Sequence, residues 1–302
     1  MLEKLSSVID KSRITQNADM KKLVTFRTGG IADILISPTS TKELSDVIKF
    51  FCEERIPYHI LGKGSNVLVN DSGLRNPVIQ IGKNMSDVSV FENCITAQSG
   101  ITLSSLASFA LEHSLSGLEF ASGIPGSLGG AIIMNAGAYG EEICGIVEAV
   151  SYIDPSGVQR VATAEEMEFS YRHSALSDTG CVITAATLNL KERSKEEILK
   201  KMNDLSKRRR DKQPLEYPSA GSTFKRPEGY FAGALIEEAG LKGKCIGGAC
   251  VSQKHAGFII NMGEASTSDV LKLIEYVKEK VYEKSGVLLE PEVKFWTEEE
   301  IK

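Results

Sequence analysis

Cysteine pairs at metal-binding or redox spacing are missing from this sequence. Its six cysteines (Cys52, Cys94, Cys144, Cys181, Cys245 and Cys250) are scattered, and none forms a C-x-x-C pair. Most have apolar neighbours, as in CVITAATLNL, so reduced, buried, structural thiols are expected. The four histidines (His59, His113, His173 and His255) lie far apart, and no metal site is expected. Long apolar runs are missing too, so nothing reads as a membrane span. The opening MLEKLSSVIDKSR is charged and amphipathic, and reads as a short leading helix rather than a signal peptide. An excess of one charge is also missing. The net charge is −5, which gives no general attraction to nucleic acid or to an anionic membrane. A cytoplasmic protein acting on small molecules, as a monomer, is the expectation.

What is present is ordinary globular composition, 42% hydrophobic and 25% charged over 302 residues, more than one core usually serves. Ser40-Thr41-Lys42-Glu43 reads as a capping box, followed by Leu44, Val47, Ile48 and Phe51 on one helical face. Strands are expected at Ile34–Ile36 and Tyr58–Leu61. From Pro77 to Leu190 strands dominate, among them Val78–Ile81, Val88–Phe91 and Ile95–Gln98. Leu103, Leu106, Ala107 and Ala110 mark a helix, and Asp154-Pro155-Ser156-Gly157 a hairpin turn. A charged helix follows, Lys195–Lys212, carrying the basic run Lys207-Arg208-Arg209-Arg210. Cations suit that helix end, and attraction of a phosphorylated ligand is the sharper alternative. The last segment has a capped helix from Ser266 and closes on LEPEVKFW, which reads as a strand. The pattern is α+β rather than regular βαβ alternation.

Two glycine loops carry the chemistry. Gly62, Lys63, Gly64, Ser65 and Asn66 link the strand-like YHIL and VLVN. A Rossmann fingerprint fails here, because Val67 replaces its third glycine and no helix follows. Closely spaced backbone N–H groups can still converge on an anion, with Ser65 and Asn66 adding side-chain donors. A valine at Gly64 is therefore expected to cost ligand binding more than folding. Residues 123–140 read GIPGSLGGAIIMNAGAYG, glycine-rich but interrupted by apolar residues, unlike a solvated linker. Backbone that must approach something flat or bulky fits a diphosphate-bearing cofactor such as FAD.

These loops join TFRTGGIADILISP (25–38), YRHS (171–174), PSAGSTFKRP (218–227), KHAGFIIN (254–261) and LEPEVKF (289–295). In that order and spacing the chain resembles the UDP-N-acetylenolpyruvoylglucosamine reductases, in their shorter branch. The resemblance implies a vanillyl-alcohol-oxidase-type FAD-binding fold of two subdomains, residues 1–80 and 81–195, with a C-terminal α+β substrate-binding domain, 196–292. A strand at 293–302 would return to the first subdomain. It implies non-covalent FAD held by Gly62, Lys63, Gly64, Ser65, Asn66, Gly123, Ile124, Pro125, Gly126, Ser127, Gly129, Gly130, Ala136 and Gly137. NADPH is the implied co-substrate, and reduction of UDP-N-acetylglucosamine enolpyruvate to UDP-N-acetylmuramate the implied reaction.

By family position, Arg172 and Glu292 polarise the enolpyruvyl carboxylate and Ser222 protonates C2. Tyr171, Lys225, Arg226 and His255 are expected at the substrate. Without the resemblance Arg172 would read as a surface salt bridge, Glu292 as a charged strand end and Ser222 as a turn serine. Two rivals stand beside this reading. An oxidase of the same fold would often tether its flavin through a histidine near the first glycine loop, where this chain has only lysine, serine and asparagine. A non-catalytic flavin- or nucleotide-binding module would need neither an acid nor a carboxylate clamp.

Overall fold

The computed structural model describes residues 1–297. The chain forms two compact units. The first gathers residues 1–15, 34–63 and 76–208, and the second gathers 16–33, 64–75 and the chain from Arg209 onward. The two units are interleaved along the chain. Short stretches from the first 80 residues pack with the C-terminal part, because they pair with it through backbone hydrogen bonds described below.

In the first unit the helix Thr41–Glu54 starts as its sequence dictates. The Ser40 hydroxyl accepts from the Glu43 N–H at 3.1 Å. The Glu43 carboxylate turns back one residue further than a capping box requires, to the Thr39 N–H (2.7 Å) and hydroxyl (2.9 Å). The expected stripe of Leu44, Val47, Ile48 and Phe51 is buried, joined by Phe50. It packs with Ile34, Ile36, Ile79 and Met85, where the strands Ile31–Ile36 and His59–Leu61 both run parallel to Val78–Gln80. A separate antiparallel sheet orders the strands Gln159–Thr163, Val147–Ile153, Val182–Asn189, Cys94–Gln98 and Val88–Phe91. The helices Leu103–Glu112 and Leu128–Ile133 belong to the core that this sheet backs. Its hairpin turn closes by a hydrogen bond from the Gly157 N–H to the Asp154 carbonyl (2.9 Å). Hydrogen bonds from Ser156 and Val158 draw the Asp154 carboxyl down to about 2. The helix Lys195–Lys212 buries only Ile198 and Leu205.

In the second unit a three-stranded antiparallel sheet orders Cys245–Ile246, Ala249–Val251 and Ile259–Asn261. The helix Thr267–Ser285 begins with a complete capping box of Ser266 and Asp269 and ends at Gly286 in the left-handed conformation. Val270, Ile274, Val277 and Val281 are buried on it as their spacing predicts. The strand Lys294–Trp296 lies parallel to Val67–Val69, Lys294 opposite Val67. Only this part of LEPEVKFW forms a regular strand. Residues 298–302 of the expected returning strand lie outside the described residues.

The cysteine expectation needs correction. Of the six, only Cys250 is buried, Cys52 and Cys245 are exposed, and the other three are half-buried. Cys245 and Cys250 face each other across a hairpin, with Cα atoms 4.1 Å apart, and form a disulfide. Cross-strand facing, which spacing alone did not reveal, brings them together. Among the described residues no helix is long and apolar enough to cross a membrane, and no cluster of metal-binding side chains occurs.

Candidate active site

Within the first unit the glycine-rich segment wraps the short helix Leu128–Ile133. Ser127 stands at its N-cap position, yet its hydroxyl caps nothing. The Leu128 and Gly129 N–H groups donate instead to the carbonyls of Ile101 and Ser99, both at 2.9 Å. Gly62 presses so close to Ser127 that any Cβ would collide with its hydroxyl, and a Cβ on Gly129 would lie 2.9 Å from the Ser99 Cβ. The Ser99 hydroxyl beside Gly129 is buried and has no hydrogen-bond partner among the described residues. Buried hydroxyls are almost always satisfied. One left open beside a glycine that excludes a side chain is what a bound polar ligand completes, and these residues fit the phosphates of FAD. Ile124 packs on the core and Ala136 is buried. Gly126 and Gly137 are half-buried, whereas Lys63, Gly123, Pro125 and Gly130 are exposed.

Arg172 sits at the tip of a tight turn, closed by two reciprocal backbone hydrogen bonds between Ser170 and His173, each 3.1 Å. Its φ is +57°, a left-handed conformation that costs a non-glycine residue about 1–2 kcal/mol and must be held by its surroundings. Its guanidinium donates to the carbonyls of Asn135 (3.5 Å) and Gly137 (3.4 Å) and lies 5.0 Å from the centre of the Tyr171 ring. The glycine-rich segment and the Y-R turn are thus one constellation.

The second unit holds the other. Ser222 follows Gly221, whose φ is +76°, and donates to the Phe224 carbonyl at 3.3 Å. Thr223 donates its N–H to Gly257 (2.8 Å) and accepts at its carbonyl from the Glu292 N–H (2.8 Å). Glu292 is therefore on a segment paired with that of Ser222, although seventy positions separate them. Pro291 bridges Phe224, and the Lys225 N–H donates to the Glu290 carbonyl at 2.9 Å. Ser222 Oγ comes within 3.5 Å of where a Cβ on Gly257 would stand, and His255 within 3.0 Å. Burial lowers the pKa of His255, and its Nδ1 accepts from the Gly257 N–H at 3.1 Å, which leaves Nε2 to carry the proton of a neutral ring.

Four of the expected site residues also make contacts within the protein. Gly64 has φ +66°, and a Cβ there would strike the Leu23 carbonyl and the Val24 Cα, so glycine is required for packing. Asn66 turns its amide to the Glu292 carbonyl (3.1 Å) while its own carbonyl accepts from Lys294 (3.0 Å), so its donor is directed at protein backbone. Lys225 pairs with the Glu290 carboxylate at 3.2 Å. Arg226 is exposed, stacked 4.0 Å over Phe231, with Nε on the Tyr230 carbonyl at 3.3 Å. Arg172 lies in one unit, and Ser222, Glu292 and His255 in the other.

Two buried residues went unnoticed in the sequence. Asn135 is almost wholly buried with φ +42°. Glu119 is also buried. Burial alone would raise its carboxyl, but the Ser116 hydroxyl (2.6 Å), the Gly117 N–H (3.0 Å) and Lys201 at 3.5 Å bring it below the ordinary glutamate value. Neither carries a spacing signal. A left-handed asparagine after a short helix could only be guessed from the M-N-A-G turn.

Known proteins resemble the chain over nearly its whole length. Residues 32–163 match the FAD binding domain family, and residues 213–296 match the C-terminal domain of UDP-N-acetylenolpyruvoylglucosamine reductase. The reductase of that name from Caldanaerobacter subterraneus subsp. tengcongensis is 49% identical over 97% of both chains. The one from Clostridioides difficile is 49% identical over 98% of this chain and 97% of its own. The crystal structure of the Thermus caldophilus enzyme superposes with a TM-score of 0.81 at 37% identity, covering 94% of this chain and 98% of that one. Phl p 4, a grass pollen allergen with glucose dehydrogenase activity, shares the fold alone, with a TM-score of 0.53 at 12% identity over 64% of this chain. Fold and site define an FAD-dependent oxidoreductase of the vanillyl-alcohol-oxidase type. More particularly, the chain belongs to the UDP-N-acetylenolpyruvoylglucosamine reductase family.

Proposed function

We propose that this chain reduces UDP-N-acetylglucosamine enolpyruvate to UDP-N-acetylmuramate with NADPH, for peptidoglycan precursor synthesis, using Ser222, Arg172 and Glu292. FAD, held by the two glycine loops, would supply hydride transfer between NADPH and the enolpyruvyl C3. The protein's part is to hold the substrate and manage charge and a proton. An enol ether accepts hydride only if negative charge is drawn into its carboxylate. Arg172 offers a planar fork matched to a carboxylate, and Glu292 is the polar partner. The Ser222 hydroxyl delivers the proton to C2. A free serine is a weak acid, so the role depends on its being held against the charge that develops. His255, with a proton on Nε2, is a donor for the sugar or diphosphate, and Lys225, Arg226 and Tyr171 are the further substrate contacts.

The observation that carries this reading is the pairing of the Ser222 and Glu292 segments through Thr223, which supports their joint role at one substrate. The test is anaerobic. The holoenzyme should bleach on NADPH and recover its oxidised spectrum when the enolpyruvyl substrate is added. Bleaching without recovery would sink the assignment. Rapid oxygen uptake with NADPH alone would favour an oxidase instead. A monomer in the cytoplasm is the proposed setting. Light scattering tests the monomer.

A further inference from the structure

The turn that presents Arg172 is tied down at three points, all to the five residues that end the helix Leu128–Ile133 and lead out of it. Ser170, its first residue, accepts at its carbonyl from Asn135 Nδ2 at 3.0 Å. Ser174, just past it, is fully buried and donates its hydroxyl to the Ile133 carbonyl at 2.9 Å, alongside Ser177 at 2.8 Å. The guanidinium itself donates to the carbonyls of Asn135 and Gly137. Asn135 contributes to two of these three ties and is 1% exposed. The rest of its amide is engaged as well. Nδ2 also donates to Glu142 Oε2 (2.9 Å), and Oδ1 accepts from the Cys144 N–H (3.2 Å). The amide thus reads one carbonyl and one carboxylate on one side and an N–H on the other, an orientation no other side chain of that size reproduces. Its left-handed backbone is one that asparagine tolerates better than most residues.

We infer that Asn135 is a positioning residue for Arg172. It fixes the direction of the Y-R turn against the glycine-rich segment that seats the cofactor, so that Arg172 meets the carboxylate of a substrate stacked there. The inference rests on the proposed role of Arg172 and extends it. Asn135 is buried, and its hydrogen bond from Arg172 is accepted by its backbone carbonyl, so it acts on substrate through Arg172 rather than directly.

Asn135→Gly keeps the positive φ and removes the amide, and Asn135→Asp keeps the volume but replaces the donor with an acceptor facing a carbonyl and a carboxylate. On FAD-loaded enzyme, both should be reduced by NADPH within about twofold of wild type. Reoxidation by the enolpyruvyl substrate should slow, or its KM rise, by about 10–100-fold, the scale of a group misplaced by an ångström. In an Arg172→Lys background, Asn135→Gly should add little, because both changes act through the same contact. The inference is overturned by normal reoxidation, by equal slowing of both half-reactions, by effects that multiply in the double variant, or by loss of FAD or fold in both variants. Wild-type enzyme that the substrate cannot reoxidise would instead sink the proposed function.

Discussion

Ser222→Ala separates chemistry from structure. The hydroxyl makes one protein hydrogen bond, to the Phe224 carbonyl at 3.3 Å, and is only half-buried. A bond of that length nets at most about 1 kcal/mol. The segment keeps its main anchors, the 2.8 Å bonds from Thr223 to Gly257 and from Glu292 to Thr223, and the 3.1 Å bond from the Ile259 N–H to the Thr223 hydroxyl. Stability should therefore drop by less than about 1 kcal/mol. Loss of a general acid costs roughly 10²–10⁴-fold, about 3–5 kcal/mol on the barrier. The kinetic loss exceeds the structural one several-fold, so it cannot be a by-product of unfolding. Reduction by NADPH needs no proton from this hydroxyl and should be unchanged. Anaerobic stopped-flow absorbance of the flavin, following reduction and then reoxidation by the enolpyruvyl substrate, reads both halves. Ser222→Cys should recover part of the rate, a thiol being the stronger acid. Reoxidation of Ser222→Ala within a few-fold of wild type would remove Ser222 from proton delivery. Loss of reduction by NADPH would make its role one of binding.

Other outcomes follow from the same geometry. Mild acid should release all the flavin as FAD and leave the bare chain by mass spectrometry, since no histidine stands in the loop Gly62–Asn66; an adduct would refute this. Gly64→Val should now fail in folding first, because its Cβ meets the Leu23 carbonyl at a positive φ; a cooperatively melting variant with low flavin content would restore the simpler reading of that loop. Burial holds His59 at about 4, below the usual 6.5, so the unfolded chain binds the extra proton between those values. The corresponding stability is fully present above about pH 6.5 and is lost as pH falls toward 4, by at most about 3 kcal/mol. Thermal melts of wild type against His59→Gln across that range should show a steeper decline in the wild type, and parallel curves would rule it out.

Where local chemistry dictates structure, the sequence was readable. Apolar spacing and an N-cap residue mark the helices Thr41–Glu54 and Thr267–Ser285 because both act within one or two turns. The turn at Asp154–Gly157 follows from proline and glycine in the same way. LEPEVKFW was read as one strand, but Pro291 has no N–H to give a ladder, so only Lys294–Trp296 pairs regularly and Glu290–Glu292 bond singly to the Ser222 segment. That irregularity puts Glu292 beside Thr223, a relation between residues sixty-nine apart that no periodicity encodes. The Cys245–Cys250 pairing escaped for a related reason, since hairpin register decides which side chains face each other.

Asparagine placement repeats in the two units and explains what motif reading missed. Asn66, beside the first glycine loop, donates its amide to the Glu292 carbonyl at 3.1 Å. Asn135, inside the second, donates to the Ser170 carbonyl at 3.0 Å, two residues before Arg172. In each case an amide in a glycine-rich loop orients the backbone of a segment that bears a proposed substrate-contacting charge. Glycine lets a loop come close to a ligand but leaves it conformationally loose. A neighbouring amide can tie that loop to the segment that must face the ligand, using donors and an acceptor that carry no charge of their own. A charged side chain in the same place would perturb the carboxylate and guanidinium that the chemistry needs. Sequence reading assigned Asn66 to the ligand because glycine-rich loops bind anions, and passed over Asn135 because it carries no such association. Each holds a backbone carbonyl of such a segment.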